Sequence, residues 1–305
     1  MSKINFLKIR GIFMFSQSKN TKIRLLLIVL ITVFGIKLQA SLVWGAEIHD
    51  AAKNGDVNKV KSILAANPLL VNAKDDYGLT SLQWAAGKGH KGVVELLIAK
   101  GAEVNTKNNN GSTPLHAAAD SGHNEVAKLL IANGADISAK DKHGITPLLA
   151  AAFRGRTEVL KLLIENKAKV NAKANDGSTP LYAAAQSGHK EVAKLLIANG
   201  ADVNAKHNVI GSTPLHTAAK NGHREVAELL IANGAGINVK EKGSDTTPLH
   251  WAAFFGHKEV AELLIANGAE IHAKEKLNGS TPLALAVFNG HKDLAELLRK
   301  HGAKY

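Results

Sequence analysis

Residues 108–140 read NNNGSTPLHAAADSGHNEVAKLLIANGADISAK. The stretch divides into pieces with separate physical tasks. Asn110-Gly111 offers the positive-φ residues that a tight hairpin turn prefers. Thr113-Pro114 opens a helix, with Thr as the N-cap and Pro as the first helical residue. Leu115, Ala118 and Ala119 give this helix a face small enough for close packing, and Gly122-His123 ends it. EVAKLLIA, Glu125 to Ala132, carries apolar residues at helical spacing and predicts a second helix. Asn133-Gly134 stops that helix with a left-handed cap, and Asp136 to Ala139 runs extended to the next turn.

The same order recurs along the chain. Thr-Pro-Leu, or Thr-Ser-Leu in its first copy, begins at Thr80, Thr113, Thr146, Thr179, Thr213, Thr247 and Thr281, at intervals of 33, 33, 33, 34, 34 and 34 residues. A fixed period in this range marks a solenoid, so the 305 residues need not form two globular domains. An irregular unit at residues 47–74 matches the second half of the pattern and suits an N-terminal cap. The final unit, Asn278–Tyr305, carries Arg299, Lys300, His301 and Lys304 where a ninth unit would otherwise pack, which suits a C-terminal cap.

The composite motif G-x-TPLH-x-AA-x-x-GH-x-x-V-x-x-LL-x-x-GAD-x-N-A resembles the ankyrin repeat, over about residues 47–305. The resemblance implies an all-α solenoid of stacked helix-turn-helix units with short β-hairpin tips, about eight units in all. It also implies that the tips and first helices form a concave groove that binds other proteins. Repeat four (residues 141–173) departs from the pattern. It has Leu149 for the first His, Gly155-Arg156 for Gly-His, and Asn166-Lys167 for Asn-Gly. Lys167 then sits at a left-handed cap at a cost of about 1 kcal/mol, so this repeat is expected to be the weakest. From repeat five onward each connecting loop gains a residue: KHNVIGS (206–212), KEKGSDT (240–246) and KEKLNGS (274–280).

Composition excludes several classes. The chain has no Cys, which removes disulfide scaffolds, thiolate metal sites and Cys nucleophiles. At 45% hydrophobic and 21% charged it is neither disordered nor polytopic. The net charge of +12 is uneven. Residues 1–46 hold seven basic residues and no acid, leaving 31 basic against 26 acidic residues, a net of +5, in residues 47–305. No basic run follows residue 46, so nucleic acid is not the expected partner.

The leader contains LLLIVLITVFGI at residues 25–36, behind Lys19, Lys22 and Arg24. Twelve apolar residues are short for a membrane span, which needs about 20. The pattern suits a secretory signal, with small residues at Ala40, Ser41, Gly45 and Ala46 for cleavage. A start at Met14 would give a leader of ordinary length. The alternative is an uncleaved anchor using residues 25–46, which must accommodate Lys37. The chain is therefore expected to be exported to the periplasm or exterior, or else to be membrane-anchored. Residues 1–46 form the leader and residues 47–305 the repeat domain.

No sequence constellation calls for catalysis or a cofactor. G-x-S-x-G, phosphate-loop, H-E-x-x-H and EF-hand patterns are all missing from the sequence. His90, His123, His189, His223, His257 and His291 share one repeat position, and His116, His216 and His250 another. Equivalent residues on stacked helices lie about 8–10 Å apart, too far for two ligands of one Zn²⁺. Hydrogen bonds to the backbone of the same or a neighbouring repeat are the expected role. Asn110-Gly-Ser and Asn278-Gly-Ser are glycosylation sequons, but they also repeat the hairpin-turn chemistry, and turn is the favoured reading unless a eukaryote secretes this chain.

The residues that vary between repeats are the candidates for binding. Eight of the nine aromatic residues after residue 46 fall in a tip or a first helix. The candidate partner-binding residues are Tyr77, Trp84, Phe153, Arg154, Trp251, Phe254, Phe255 and Phe288. Aromatic and Arg side chains are favoured hot spots. Phe153, Phe254 and Phe288 share the second position before a Gly, and Arg154 and Phe255 share the next. These are expected to be exposed in the groove. Trp84 and Trp251 suit either the groove or inter-repeat packing, and Tyr182 suits packing. The expected function is a monomeric, non-enzymatic protein-binding scaffold, its groove centred on repeats seven and eight. An enzyme or nucleic-acid binder using an unrecognised surface is the remaining alternative.

Overall fold

A computed structural model describes residues 46–304. The readings of the leader, including Met14, cleavage near Ala40 or Gly45 and the span at residues 25–46, lie outside the described residues. No helix among the described residues is long and apolar enough to cross a membrane.

Each repeat contributes two antiparallel helices. Residues 46–53 and Val57–Ala66 form the first pair. Then come Ser81–Lys88 with Lys91–Ala99, Pro114–Ser121 with Asn124–Ala132, and Pro147–Phe153 with Thr157–Glu165. Pro180–Ser187 with Lys190–Ala198, Pro214–Asn221 with Arg224–Ala232, Pro248–Phe255 with Lys258–Ala266, and Pro282–Phe288 with Lys292–Lys300 complete the stack. The all-α solenoid read from the sequence is therefore the observed fold.

The first helices start as their sequence directs. Thr113, Thr146, Thr179, Thr213, Thr247 and Thr281 hold extended N-cap conformations, and a Pro follows each. In repeat three Leu115, Ala118, Ala119, Val126 and Leu130 are essentially inaccessible, and their counterparts in repeats two to seven join one continuous core. Burying each such Leu or Val contributes about 1.5–3 kcal/mol. Alanine on the first helices lets them approach their neighbours more closely than the second helices do. A stack spaced more tightly on one side curves toward that side, so the first helices line the inner face.

The tips are corrected in one respect. Among the described residues no strand is found, and one isolated antiparallel β-bridge joins Lys74 and Thr80. The tips are hydrogen-bonded turns. At the tip of repeat three Gly111 has a positive φ, 82°, and Asn110 does not. Asn108 does the work assigned to Asn110: its Oδ1 accepts the N–H groups of Asn110 and Ser112 at 2.9 and 3.0 Å. The side chain satisfies donors that a β-ladder would otherwise take. Successive tips then join by backbone bonds, such as Asn109 N–H to Tyr77 O at 3.0 Å and Lys142 N–H to Asn110 O at 2.9 Å.

Lys167 does adopt the left-handed cap, with φ 71°. The loss at Arg156 is compensated. Its Nε donates to Asp120 O at 3.0 Å, doing for repeat four what the His does elsewhere.

Candidate functional site

The histidines are structural stitches. At the start of six of the second helices an imidazole Nε2 reaches back to a carbonyl of the preceding repeat. His90 meets Lys53 O at 3.0 Å, His123 meets Gly87 O at 3.1 Å, and His257 meets Lys220 O at 3.0 Å. The glycine capping the preceding first helix makes room: a Cβ on Gly222 would lie 2.5 Å from His257 Nδ1.

The other histidine register reaches forward. His116 Nδ1 accepts the Thr113 N–H at 3.2 Å, so Nε2 carries the proton and donates to Ile145 O at 3.0 Å. His216 and His250 repeat this with Thr246 O and Ser280 O, both at 3.2 Å. Burial lowers the pKa of all three, and His216 falls to about 4. Gln83 makes the same pair of bonds, accepting from Thr80 N–H at 3.0 Å and donating to Ser112 O at 2.7 Å. Leu149 makes no such bond and packs instead with Ile145, Ala174 and Ala183. Tyr182 is half-buried, with its ring 5.7 Å from His207.

The variable aromatics behave differently. Trp251, Phe254 and Phe255 form one cluster on the first helix of repeat seven. Trp251 stacks on Phe255 with centroids 6.0 Å apart, Phe254 meets Phe255 edge-on at 4.9 Å, and Trp251 meets Phe254 edge-on at 6.2 Å. Helical spacing places 251, 254 and 255 on one face. Phe254 and Phe255 remain 38% and 42% exposed, while Trp251 is half-buried. The Lys220 ammonium of repeat six lies 4.8 Å from the Trp251 ring and 5.9 Å from Phe255. Phe288, at the matching position of repeat eight, is 86% exposed.

The remaining candidates lie apart from this cluster. Phe153 is 40% exposed, and its ring has the Arg154 guanidinium 5.6 Å from its centroid. Arg154 also pairs with Asp120 of repeat three at 2.9 Å. Tyr77 stands at the tip of repeat two and is 72% exposed. Trp84 is half-buried; its Nε1 donates to Asp75 Oδ2 at 2.9 Å, and Lys53 lies 5.0 Å from its ring.

Sequence reasoning passed over Val209, Ile210 and Leu277, exposed apolar side chains on the lengthened tips, and Lys220 beside the aromatic cluster. The signal for the first three was apolar residues inside inserted turns.

The comparisons agree with this architecture. The family model for ankyrin repeats (3 copies) matches residues 48–141, 138–207 and 215–305. Among curated proteins, the NAD-capped RNA hydrolase NUDT12 of Homo sapiens is 38% identical over 55 residues, 18% of this chain and 12% of that protein. A transient receptor potential cation channel subfamily A member 1 homolog of Caenorhabditis elegans is 42% identical over 55 residues, 18% of this chain and 4% of that protein. Osteoclast-stimulating factor 1 of Danio rerio is 42% identical over 53 residues, 17% of this chain and 24% of that protein. The matched segments span about a quarter or less of these relatives.

Proposed function

The chain belongs to the ankyrin-repeat family, and from that premise we propose that it is a non-enzymatic, monomeric scaffold binding another protein through its inner face. The observation that carries this reading is the Trp251–Phe254–Phe255 cluster, left open to solvent beside Lys220 and one repeat from Phe288. Three clustered aromatics supply a large contact area at little conformational cost, and burying such anchors dominates protein–protein affinity. Phe153 with Arg154, and Tyr77 with Trp84, extend the same face toward the N-terminus.

The similarity to a hydrolase covers 12% of that protein, a share that lends this chain no hydrolase activity. The histidines of the two repeat registers, the residue type most able to supply acid–base chemistry, are engaged with backbone carbonyls. The partner is thus a protein that presents an apolar surface.

The test is the double variant Phe254→Ala/Phe255→Ala, with partners captured from the native host by crosslinking to the full chain. Affinity for the captured partner should fall by about 2 kcal/mol or more. Folding stability should fall by only about 1 kcal/mol, the scale of the ring pairs removed. Unchanged affinity with a large drop in thermal stability would assign the rings to packing and defeat the proposal.

We also propose export, supported by the basic flank and apolar run of residues 25–36. An intact mass beginning near Ser41 or Ala46 would support cleavage. A mass retaining residues 25–46 would replace export with an anchored scaffold.

A further inference from the structure

Every repeat through the seventh closes on a lysine: Lys74, Lys107, Lys140, Lys173, Lys206, Lys240 and Lys274. In the N-terminal half each ammonium has a partner. Lys74 Nζ donates to Lys107 O at 2.8 Å, Lys107 to Lys140 O at 3.0 Å, and Lys140 to Lys173 O at 2.8 Å. The series stops there. Among the described residues, Lys173, Lys206 and Lys240 have no side-chain hydrogen bond or ion pair, and all three are exposed. The break coincides with the longer tips of residues 207–212, 241–246 and 275–280.

These three lysines line one open cavity of about 660 Å³, together with Lys242 and Lys276. Its counter-charges do not balance it. Glu241 is buried in the wall, and Asp245 is held by Lys276 at 3.2 Å. Three ladder ammoniums and Lys242 remain without anionic partners.

We propose that this cavity binds an acidic, extended segment of a protein, with a carboxylate at every third residue. Equivalent positions on stacked repeats lie about 8–10 Å apart. A polyproline II segment has three residues per turn and rises about 3.1 Å per residue. Its residues i, i+3 and i+6 therefore share a face at about 9 Å intervals, in step with the lysine rungs. A lone phosphate fills little of the cavity and meets few rungs. This site is separate from the aromatic face and does not depend on it.

The experiment is fluorescence anisotropy on the full chain with a labelled Asp-Pro-Pro-Asp-Pro-Pro-Asp peptide. The control peptide has the same composition with its three Asp residues adjacent. The spaced peptide should bind at least about fivefold more tightly than the control, and added salt should weaken it. Lys173→Ala/Lys206→Ala/Lys240→Ala should weaken it about tenfold with an unchanged circular dichroism spectrum, because those ammoniums bond nothing in the fold. Lys74→Ala/Lys107→Ala/Lys140→Ala should leave affinity within about twofold. Should the first triple variant fail to fold, Lys206→Glu alone must weaken binding by a similar factor. Phe254→Ala/Phe255→Ala should bind the peptide normally, which separates this site from the aromatic face. Equal binding of the two peptides, equal losses in the two triple variants, or preference for inorganic tripolyphosphate or duplex DNA would overturn the proposal.

Discussion

The junction between repeats three and four and the junction between repeats six and seven perform the same task with different residues. At the first, His116 reaches forward to Ile145 O at 3.0 Å and Arg156 reaches back to Asp120 O at 3.0 Å. At the second, His216 reaches forward to Thr246 O at 3.2 Å and His257 reaches back to Lys220 O at 3.0 Å. The outer edge differs more. Asn238 Nδ2 donates to Gly268 O at 2.9 Å, and its Oδ1 accepts the Glu270 N–H at 2.9 Å. Ser138 occupies that register between repeats three and four and is too short to bridge. A cavity of about 90 Å³ opens there, lined by Ser138, Ala168 and Lys169 among others. Each junction carries several independent stitches, so one can change chemistry and another can lapse while the stack stays continuous.

The largest contrast should come from the capping glycines. A Cβ at Gly222 would sit 2.5 Å from His257 Nδ1, part of a rigid ring, while one at Gly122 would meet Arg156 Cδ at 2.8 Å. The Arg stem can rotate away and the imidazole cannot without losing its bond. Both glycines have positive φ, 75° and 86°, so either alanine costs about 1–2 kcal/mol in backbone strain. Overpacking adds a further 1–3 kcal/mol at Gly222. Gly222→Ala should therefore lose about 3–4 kcal/mol and Gly122→Ala about 1–2 kcal/mol in urea unfolding. Equal losses would mean that Arg156 is held as rigidly as the histidine.

Acid should separate the junctions next. His216 is fully buried, and burial is the main reason its pKa falls to about 4; the nearby positive charges of Lys206 and His250 add to it. A folded-state pKa below the unfolded value of 6.5 means that protons bind the unfolded chain more readily. The stabilisation is then complete above about pH 6.5 and lost as pH falls toward 4, by about 3 kcal/mol for this group. His116 shifts in the same direction. His216→Gln should remove that part of the acid sensitivity while keeping the junction closed, because Gln83 already makes both bonds in repeat two. Unfolding free energies that are flat from pH 7.5 to 4 in the unaltered chain would contradict the neutral, buried imidazole.

Much of this was legible in the residues, for reasons that differ by position. The helices followed from Thr-Pro caps, helical apolar spacing and Asn-Gly stops, all local signals that recur along the chain. The left-handed Lys167 was legible because it replaces a glycine. The tips were misread as β-hairpins because Asn110-Gly111 suggested a two-residue turn. The decisive side chain was Asn108, whose carboxamide satisfies the turn's own donors. The last of the longer tips replaces this short cap with Glu275, which accepts from Asn278 and Ser280 N–H. The rescue by Arg156 and the pairing of Lys220 with Trp251 depend on contacts 36 and 31 residues apart, which no local pattern encodes. The candidate aromatics were found by their variation among repeats, and the structure groups only Trp251, Phe254 and Phe255 into one cluster.

The smallest effect should be a gain. If the lapse between repeats three and four is local, copying the other junction into it should repair it. Ser138→Asn places a carboxamide in register with the carbonyl of residue 167 and the N–H of Lys169, as Asn105 is with Gly134 O and Asp136 N–H. Lys167→Gly relieves the φ of 71°. The second change contributes about 1 kcal/mol and the first about 0.5–1 kcal/mol. Together they should raise stability by about 1–2 kcal/mol, read as a higher urea midpoint without a change of slope. The gain should be more than either single variant shows when the two positions share one bridge. A null result in the double variant would show that the small cavity is no weakness, and that Arg156 and His116 alone hold this junction as firmly as its counterpart three repeats along.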